Sequence, residues 1–271
     1  MRAQVIRLDH RVYRMELQYD GTGLHGWAKQ TGLSTVQGAL EAALQTTLGL
    51  IPELRVAGRT DAGVHARRQV VSLGLPRDVD PARLRLSLNA LTPEGIVVTK
   101  LSRATPGFDA RTQALSRAYR YYVCTRPAAP PFWNGYCWRV YGHVDRSLLQ
   151  TTAELVRGRH DFSAFTPVVT EHVFFERTVL KCAWRTTRAD LAGVAPGSAR
   201  GFGGLLYLEI EADAFLRHMV RGLVGTMFEV AQGKRTVGDF ERLLDGAHRD
   251  DAGQTAPPHG LFLWDVRYPT R

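Results

Sequence analysis

The sequence of 271 residues is 44% hydrophobic and 23% charged, which is typical of a globular protein and excludes a largely disordered chain. Its opening residues lack the apolar run of a signal peptide, and no later segment is long enough to cross a membrane. We therefore expect a soluble, cytoplasmic protein with no membrane partner. A net charge of +9 favours a polyanionic partner such as nucleic acid.

The first half of the chain is predicted to fold in the order β-α-β-β-α-β. Apolar and polar residues alternate after residue 10, as in a half-buried strand, and Ser34 to Gln37 resembles a capping box that opens a helix. Asp80-Pro81 has the residue types that begin a second helix. The predicted elements are a strand over 11–19, a helix over 36–48, strands near 54–59 and 65–75, a helix from 81 to 91, and a strand over 95–101.

The second half of the chain repeats this order without repeating the sequence. Its predicted elements are a strand near 117–125, a helix over 145–156, strands near 177–187 and 205–212, a helix over 215–231, and a strand over 261–267. Two such runs predict an α/β (α+β) fold of two ferredoxin-like, RRM-like units, whose antiparallel sheets carry helices on one face and flank a cleft. We place the boundary near residues 104–114, which gives domains 1–108 and 109–271.

One glycine pattern resembles a dinucleotide-binding fingerprint. Gly21 to Gly26 matches G-x-G-x-x-G and follows a predicted strand. The fingerprint binds pyrophosphate only where its last glycine opens a helix, and residues 27–32 show no helical start. The preceding strand is also amphipathic, unlike the buried strand of a parallel sheet. We therefore reject a nucleotide-cofactor enzyme as the interpretation of this pattern.

The segment from Arg59 to Ala66 is richer in chemistry, because an arginine, a hydroxyl, a carboxylate and glycine meet in one tight connection. Its residues read RTDAGVHA. By residue types alone, the commoner interpretation is structural, namely a hairpin with an Asx-type turn at Asp61. The alternative is a functional carboxylate, and composition does not choose between the two.

The sequence resembles the bacterial tRNA pseudouridine synthase A family, in which this segment corresponds to the nucleophile motif. Further blocks of the resemblance are spread over nearly the whole chain. They are Tyr19–Thr22 with Gly26-Trp27 and Thr35–Gln37, Arg117–Tyr121, His160–Phe165, Phe215–Arg221, and Thr255–Pro257 with Gly260-Leu261. The resemblance implies two ferredoxin-like halves that face each other across an active-site cleft, which agrees with the order of elements predicted above.

The resemblance also implies an activity and partners. The enzyme would isomerise uridines to pseudouridine in the anticodon stem-loop of tRNA, at tRNA positions 38, 39 and 40, and would act as a homodimer. Such a rearrangement needs no cofactor. Three widely spaced cysteines, odd in number and in no C-x-x-C pair, likewise argue against a disulfide framework or a zinc site.

Three residues are assigned catalytic roles by the resemblance. Asp61 would be the nucleophile, since a carboxylate is small, ionised when paired and a competent leaving group. Arg221 would be the cation that keeps this carboxylate ionised. Tyr119 would stack on the flipped uracil and help to move the proton from C5. A solvated arginine and an ordinary strand tyrosine are the structural alternatives.

Substrate-binding roles are assigned to further residues of the same blocks. Arg59 would hold the phosphate backbone or fill the space left by the flipped nucleotide. Thr60, His65 and Arg217 would also contact substrate, with Arg217 one helical turn before Arg221 and on the same face. The sequence departs from the family pattern at three positions, which are Ala28, Arg68 and Asp109.

A protein of another class is the main rival. Two RRM-like units could form a non-catalytic RNA-binding protein that assists tRNA folding. Neither half carries the aromatic RNP1 pattern on a central strand, which counts against this interpretation.

Overall fold

The computed structural model describes residues 10–76, 79–126, 131–170, 173–187 and 205–269. The first half has the predicted order of elements. They are β1 (His10–Tyr19), α1 (Val36–Leu48), β2 (Arg55–Val56), β3 (His65–Pro76), α2 (Pro81–Leu91) and β4 (Ile96–Arg103). The predicted alternation in β1 is confirmed, since Tyr13, Met15, Leu17 and Tyr19 are all buried.

The capping of α1 differs by one residue from the prediction. Thr35, rather than Ser34, is the N-cap, and its hydroxyl accepts a hydrogen bond from the Gly38 amide. The Gln37 side chain donates to Glu41 instead of turning back to the N-cap. The sequence is compatible with a helix that begins after either residue, because serine and threonine are both favourable at the N-cap.

In the described part of the second half, the predicted elements are joined by two short strands, one short helix and short 3-10 turns. The elements are β5 (Ser116–Cys124), β6 (Trp138–Arg139), α3 (Arg146–Leu155), β7 (Gly158–Asp161), β8 (Glu176–Thr187), β9 (Leu205–Ala212), α4 (Met219–Ala231), α5 (Val237–Arg242) and β10 (Leu261–Arg267). The strands β6 and β7 and the helix α5 were not predicted, because each is too short or too polar to show a period.

The start of α4 corrects the sequence prediction. The helix begins at Met219, not at Phe215, because His218 adopts a left-handed backbone conformation with φ of 61°. Arg217 therefore lies in the turn before the helix. The prediction that Arg217 and Arg221 share a helical face was wrong.

The strands of the described residues form a single ten-stranded sheet, with the main order β4-β1-β3-β10-β5-β9-β8-β7. In the first half β4, β1, β3 and β2 are neighbours in that order, and in the second half β10, β5, β9 and β8 repeat it. This is the ferredoxin-like arrangement twice, as the sequence predicts. The two expected sheets are joined into one because β10 pairs in parallel with the start of β3. The domain boundary at residues 108 and 109 stays a prediction.

One face of the sheet carries the main core. Residues that pair directly across strands share a face. A row of such pairs crosses five strands through Tyr19, Ala66, Leu263, Tyr119 and Ile210. All five belong to one buried cluster, to which α1, α2, α3 and α4 also contribute. We call this side the helix face.

The opposite face carries a smaller cluster around Tyr122, Cys124 and Trp133. Beside this cluster, the Arg120 guanidinium lies 3.9 Å from the centre of the Trp264 ring, and that of Arg67 lies 4.7 Å from it. Within the described ranges, no helix combines the length and the apolar character needed to cross a bilayer.

The helix α4 approaches the segment 253–256 backbone to backbone. The Thr226 hydroxyl accepts a hydrogen bond from the Gly253 amide. Gly225 faces the same segment, and a Cβ there would lie 1.7 Å from the Gln254 carbonyl oxygen. Any side chain at residue 225 would therefore force the segment away from the helix.

We predict that Gly225→Ala lowers the free energy of unfolding by about 3 kcal/mol or more, because neither backbone can move without breaking packing. Gly238→Ala is the matched control, since a Cβ at this position in α5 meets nothing closer than 4.0 Å. It should leave stability unchanged or raise it slightly, because alanine is the better helix former. Chemical denaturation of both variants measures the contrast. Equal effects would show that the close approach at Gly225 does not determine stability.

Candidate active site

The loop that carries Asp61 connects β2 to β3, so the predicted hairpin is confirmed. The Asx-type turn at Asp61 was wrong, because the Gly63 amide donates to the Leu24 carbonyl oxygen and the carboxylate binds Arg221 instead. The Val64 amide donates to the Asp61 carbonyl oxygen at 3.2 Å, and Gly63 has a φ of 74°, which favours glycine. The Asp61 carboxylate points toward the second half of the chain. Its Oδ2 lies 3.4 Å from Arg221 Nη1 and 3.5 Å from His218 Nε2.

Gly21 and Gly26, the first and last glycines of the fingerprint-like pattern, pack against this loop. A Cβ at Gly21 would lie 2.3 Å from the Val64 carbonyl oxygen, and one at Gly26 would lie 2.8 Å from that of Thr60. The Trp27 amide donates to the same Thr60 oxygen at 3.0 Å. The next helix does not begin until Val36, so the predicted absence of a helix after Gly26 is confirmed. The pattern that resembles a nucleotide fingerprint permits close backbone packing under the Asp61 loop.

Arg221 lies in the first turn of α4 and is fixed from two sides. Its Nε donates to the Ala256 carbonyl oxygen at 2.7 Å, and the Ala256 amide donates back to the Arg221 carbonyl oxygen at 3.0 Å. The fork of the guanidinium then presents Nη1 to Asp61. The Asp61 and Arg221 side chains are 25% and 14% exposed, so the pair is partly shielded but open to a substrate.

Tyr119 lies on β5 beside this pair. It is buried, and its ring meets Phe215 edge-on with 5.0 Å between the ring centroids. Burial, together with the nearby Tyr19 and Asp61, raises the pKa of the Tyr119 hydroxyl far above its usual value of 10.0. A Cβ at Gly58 would lie 3.8 Å from that hydroxyl, so the hydroxyl is directed toward the Asp61 loop.

Thr60 holds the loop from inside. Its Oγ1 lies 2.8 Å from the Tyr19 hydroxyl, which also accepts a hydrogen bond from the Gln69 side-chain amide at 3.2 Å. The same amide donates to the Gly58 carbonyl oxygen at 2.7 Å. Thr60 is buried in this network, whereas Arg59 beside it is exposed. The structure thus directs neighbouring predicted residues to opposite sides of the loop.

His65 is buried away from the surface of the site. Its Nδ1 accepts a hydrogen bond from the Gly21 amide at 3.0 Å, and its Nε2 lies 3.1 Å from the carbonyl oxygens of Gly135 and His259. The Asp20 carboxylate, 3.1 Å from Nδ1, favours a proton there. Burial outweighs it and lowers the pKa of His65 below 6.5. His65 therefore joins three segments as a neutral ring, and its predicted contact with substrate stays a prediction.

The predicted Arg217 and the unpredicted His218 both lie in the turn before α4. Arg217 is exposed, and the His218 side chain is 27% exposed. The sequence prediction assigned no role to His218, although this residue belongs to the Phe215–Arg221 block of the family resemblance. The signal in the sequence is its position three residues before Arg221, but a helix predicted from Phe215 does not single out this side chain.

The departures from the family pattern lie outside the carboxylate pair. Arg68 binds Glu16 and Asp265, at 3.0 and 2.8 Å. Asp109 binds Arg55 at 2.7 Å, and this contact, together with two backbone amides, holds the pKa of Asp109 at about 2 despite the opposing effect of burial. The charges of Arg68 and Asp109 are thus compensated locally.

Comparison with known proteins identifies the family. A family model described as tRNA pseudouridine synthase matches residues 152–269. The chain is 37% identical over 258 residues to tRNA pseudouridine synthase A of Methylobacterium sp. (strain 4-46), which covers 95% of this chain and 97% of that protein. It is 36% identical over 256 residues to tRNA pseudouridine synthase A of Pelodictyon phaeoclathratiforme, with 94% and 98% covered.

The chain belongs to the tRNA pseudouridine synthase A family. The resemblance stated from the sequence is thereby confirmed, and the protein is an enzyme, an isomerase. The match of the family model covers β8, β9, α4 and β10, and so includes Arg221. The rival interpretation as a non-catalytic RNA-binding protein is not retained.

We expect the free energy of unfolding of this family member to fall as the pH is lowered from about 7.5 to 5.5. Burial is the largest cause of a lowered pKa at His65, His218 and His259. The folded state then binds fewer protons than the unfolded state. The stability that these rings contribute is present above 6.5, their usual pKa, and is lost as the pH falls through and below that value.

Denaturation with urea at several pH values measures this dependence. His65→Gln should flatten it, because one buried ring no longer titrates, and should also lower stability by about 1 to 3 kcal/mol through lost hydrogen bonds. The same substitution at the exposed His25 is the control. A pH dependence that survives unchanged in His65→Gln would contradict the assignment.

Proposed function

We propose that the enzyme isomerises uridines in the anticodon stem-loop of tRNA, at tRNA positions 38 to 40, with Asp61 as the nucleophile and without a cofactor. We further propose that it acts in the cytoplasm as a homodimer, for which the family resemblance is the support. The observation that carries the catalytic proposal is the pairing of Asp61 with Arg221 on the helix face.

The pairing supplies what a nucleophilic carboxylate requires. The reaction breaks the bond between N1 of uracil and C1′ of ribose and joins C5 to the same carbon, so a detached uracil must be held while it turns. A carboxylate can add to the base or to the sugar and leave again. Arg221 provides a counter-charge, and its bond to Ala256 fixes the direction of that charge.

Tyr119 fits a role beside the flipped base. Its ring packs edge-on against Phe215, and its hydroxyl is directed toward the Asp61 loop. Because burial raises its pKa, the phenol is protonated at neutral pH and can donate a hydrogen bond. This favours stacking and hydrogen-bond donation over a role as a tyrosinate base.

Exposed arginines support binding of the RNA backbone. Arg59 and Arg217 are exposed and belong to the loop of Asp61 and the turn before α4, respectively. Guanidinium groups bind phosphates bidentately, and the net charge of +9 adds long-range attraction. We propose that these two arginines hold phosphates of the RNA on either side of the nucleotide that enters the site.

We predict that Asp61→Asn and Asp61→Ala lower the rate of pseudouridine formation on the order of 1,000-fold or more, while binding of tRNA changes little. The measurement is tritium release from tRNA transcripts that carry C5-tritiated uridine. Asp250→Asn is the matched control, because that carboxylate is 85% exposed and should be dispensable. Transcripts with cytidine at positions 38 to 40 should release no tritium. Release by Asp61→Asn at the native rate would refute the nucleophile, and release from the cytidine transcripts would refute the site on tRNA.

Tyr119→Phe should separate the two roles of the tyrosine. We expect tRNA binding within about twofold of the native protein, because the ring is kept, and a rate lowered by about 10- to 1,000-fold, because the hydroxyl is lost. Tyr119→Leu removes the ring as well and should also weaken binding by about 1 to 3 kcal/mol. Single-turnover kinetics and filter binding give both quantities. A Phe variant with the native rate would leave stacking as the only role.

A further inference from the structure

His218 has an unusual backbone conformation next to the proposed nucleophile. Among the described residues it is the one non-glycine residue with a positive φ, which is 61°. A left-handed conformation is unfavourable for a residue with a Cβ, and such outliers cluster at functional sites. His218 is also the N-cap of α4, yet its side chain makes no capping hydrogen bond to that helix. The imidazole is thus directed elsewhere.

The imidazole is directed at Asp61. His218 Nε2 lies 3.5 Å from Asp61 Oδ2, and Arg221 Nη1 lies 3.4 Å from the same oxygen. Both donors therefore converge on Oδ2, from positions three residues apart at the start of α4. These distances are long for hydrogen bonds, as is common in active sites without substrate. Both side chains make their shortest contact with Oδ2, so Oδ1 is the carboxylate oxygen farther from them.

We propose that His218 is a positioning residue that, with Arg221, holds Oδ2 of Asp61 and so presents Oδ1 to the target nucleotide. This inference rests on the proposed function, in which Asp61 is the nucleophile. The left-handed turn at His218 then has a physical reason, because this backbone conformation sets the direction in which the side chain leaves the chain beside the Asp61 carboxylate. The strained backbone is what brings the ring to the carboxylate.

The charges around the imidazole favour a neutral ring. Burial is the largest effect on His218 and lowers its pKa, while Asp61 acts in the opposite direction. Arg221, Arg217 and Arg249 lower the pKa further by repulsion. A neutral ring with its proton on Nε2 can donate to Oδ2 once the pair closes to hydrogen-bond distance. It orients the carboxylate without adding a second full charge beside Arg221, which would weaken the nucleophile.

The test compares His218→Gln with His218→Leu. Glutamine can place an amide donor near the position of Nε2, whereas leucine has similar length and no donor. Both keep a Cβ at φ 61°, so both carry the same backbone cost and should melt at the same temperature. We expect His218→Leu to lower the single-turnover rate of tritium release by about 10- to 100-fold and His218→Gln by less than about fivefold. Binding of tRNA should change less than twofold in either.

A third variant keeps the test decisive if the His218→Leu protein does not fold. His218→Gly removes the donor and the backbone cost together, so it should fold at least as well as the native protein and react as slowly as His218→Leu. Equal rates for the Gln, Leu and Gly variants would overturn the inference. So would losses that appear only in tRNA binding.

The pH dependence of the reaction rate distinguishes a positioning role from a merely structural one, because a structural role would leave it unchanged. Protonation of His218 places a second cation on Asp61, so the native rate should fall as the pH drops below about 6.5, and this limb should be absent in His218→Gln. A limb that persists in His218→Gln would contradict the assignment to this ring. Retained activity in Asp61→Asn would overturn the proposed function as well, whereas an inactive Asp61→Asn with equal His218 variants would overturn this inference alone.

Discussion

The contact on which the site depends is the Arg221 guanidinium, shared between the Ala256 carbonyl oxygen and the Asp61 carboxylate. A partly buried charge pair stabilises a protein little unless its remaining donors are satisfied, and here the bond to Ala256 satisfies one of them. The same bond sets the direction in which the guanidinium points. Anything that moves segment 253–256 therefore moves the cation away from the carboxylate. Gly225 belongs to the site in this sense, although it is remote from the chemistry.

The sheet brings these groups together from distant parts of the chain. Asp61 and Arg221 are separated by 160 residues, and the parallel pairing of β10 with the start of β3 joins the halves that carry them. β10 also pairs with β5, which holds Tyr119, so one strand contacts both sides of the site. Because β3 begins directly after the Asp61 loop, pairing at His65 and Ala66 fixes the loop within a few residues of the carboxylate.

Local patterns predicted most of the fold. The alternation in β1, the N-cap of α2 and the ranges of α3 and β10 were predicted from a few residues each, and the structure confirms them. The junction of the two sheets was not predictable, because it depends on pairing between strands almost 200 residues apart, which leaves no local signature. The start of α4 was misread for a different reason. The residues FLRHMVR have a helical period throughout, and the left-handed turn at His218 arises from its tertiary surroundings.

The site residues show which features of the site could be predicted from residue types and motifs. The family motif led to Asp61, Arg221 and Tyr119, which the fold brings together. The motif could not tell an exposed side chain from one that supports the loop, since Arg59 and Thr60 are neighbours that face opposite ways. His65 follows the same motif, and its burial was hidden because its partners at Gly21, Gly135 and His259 are far away in sequence.

The support beneath the carboxylate is mostly backbone. Gly21 and Gly26 allow one segment to lie directly under the Asp61 loop, and Gly225 allows another to lie against the helix that carries Arg221. Segments that pack through backbone atoms at glycines lose no side-chain rotamer freedom and have little room to shift. They fix the two charged groups before substrate arrives, so that less reorganisation is needed when charge develops in the reaction. A carboxylate held by longer side chains would have to be ordered by the substrate itself, at the expense of binding energy. Small residues around a charged pair are therefore a physical requirement of this site.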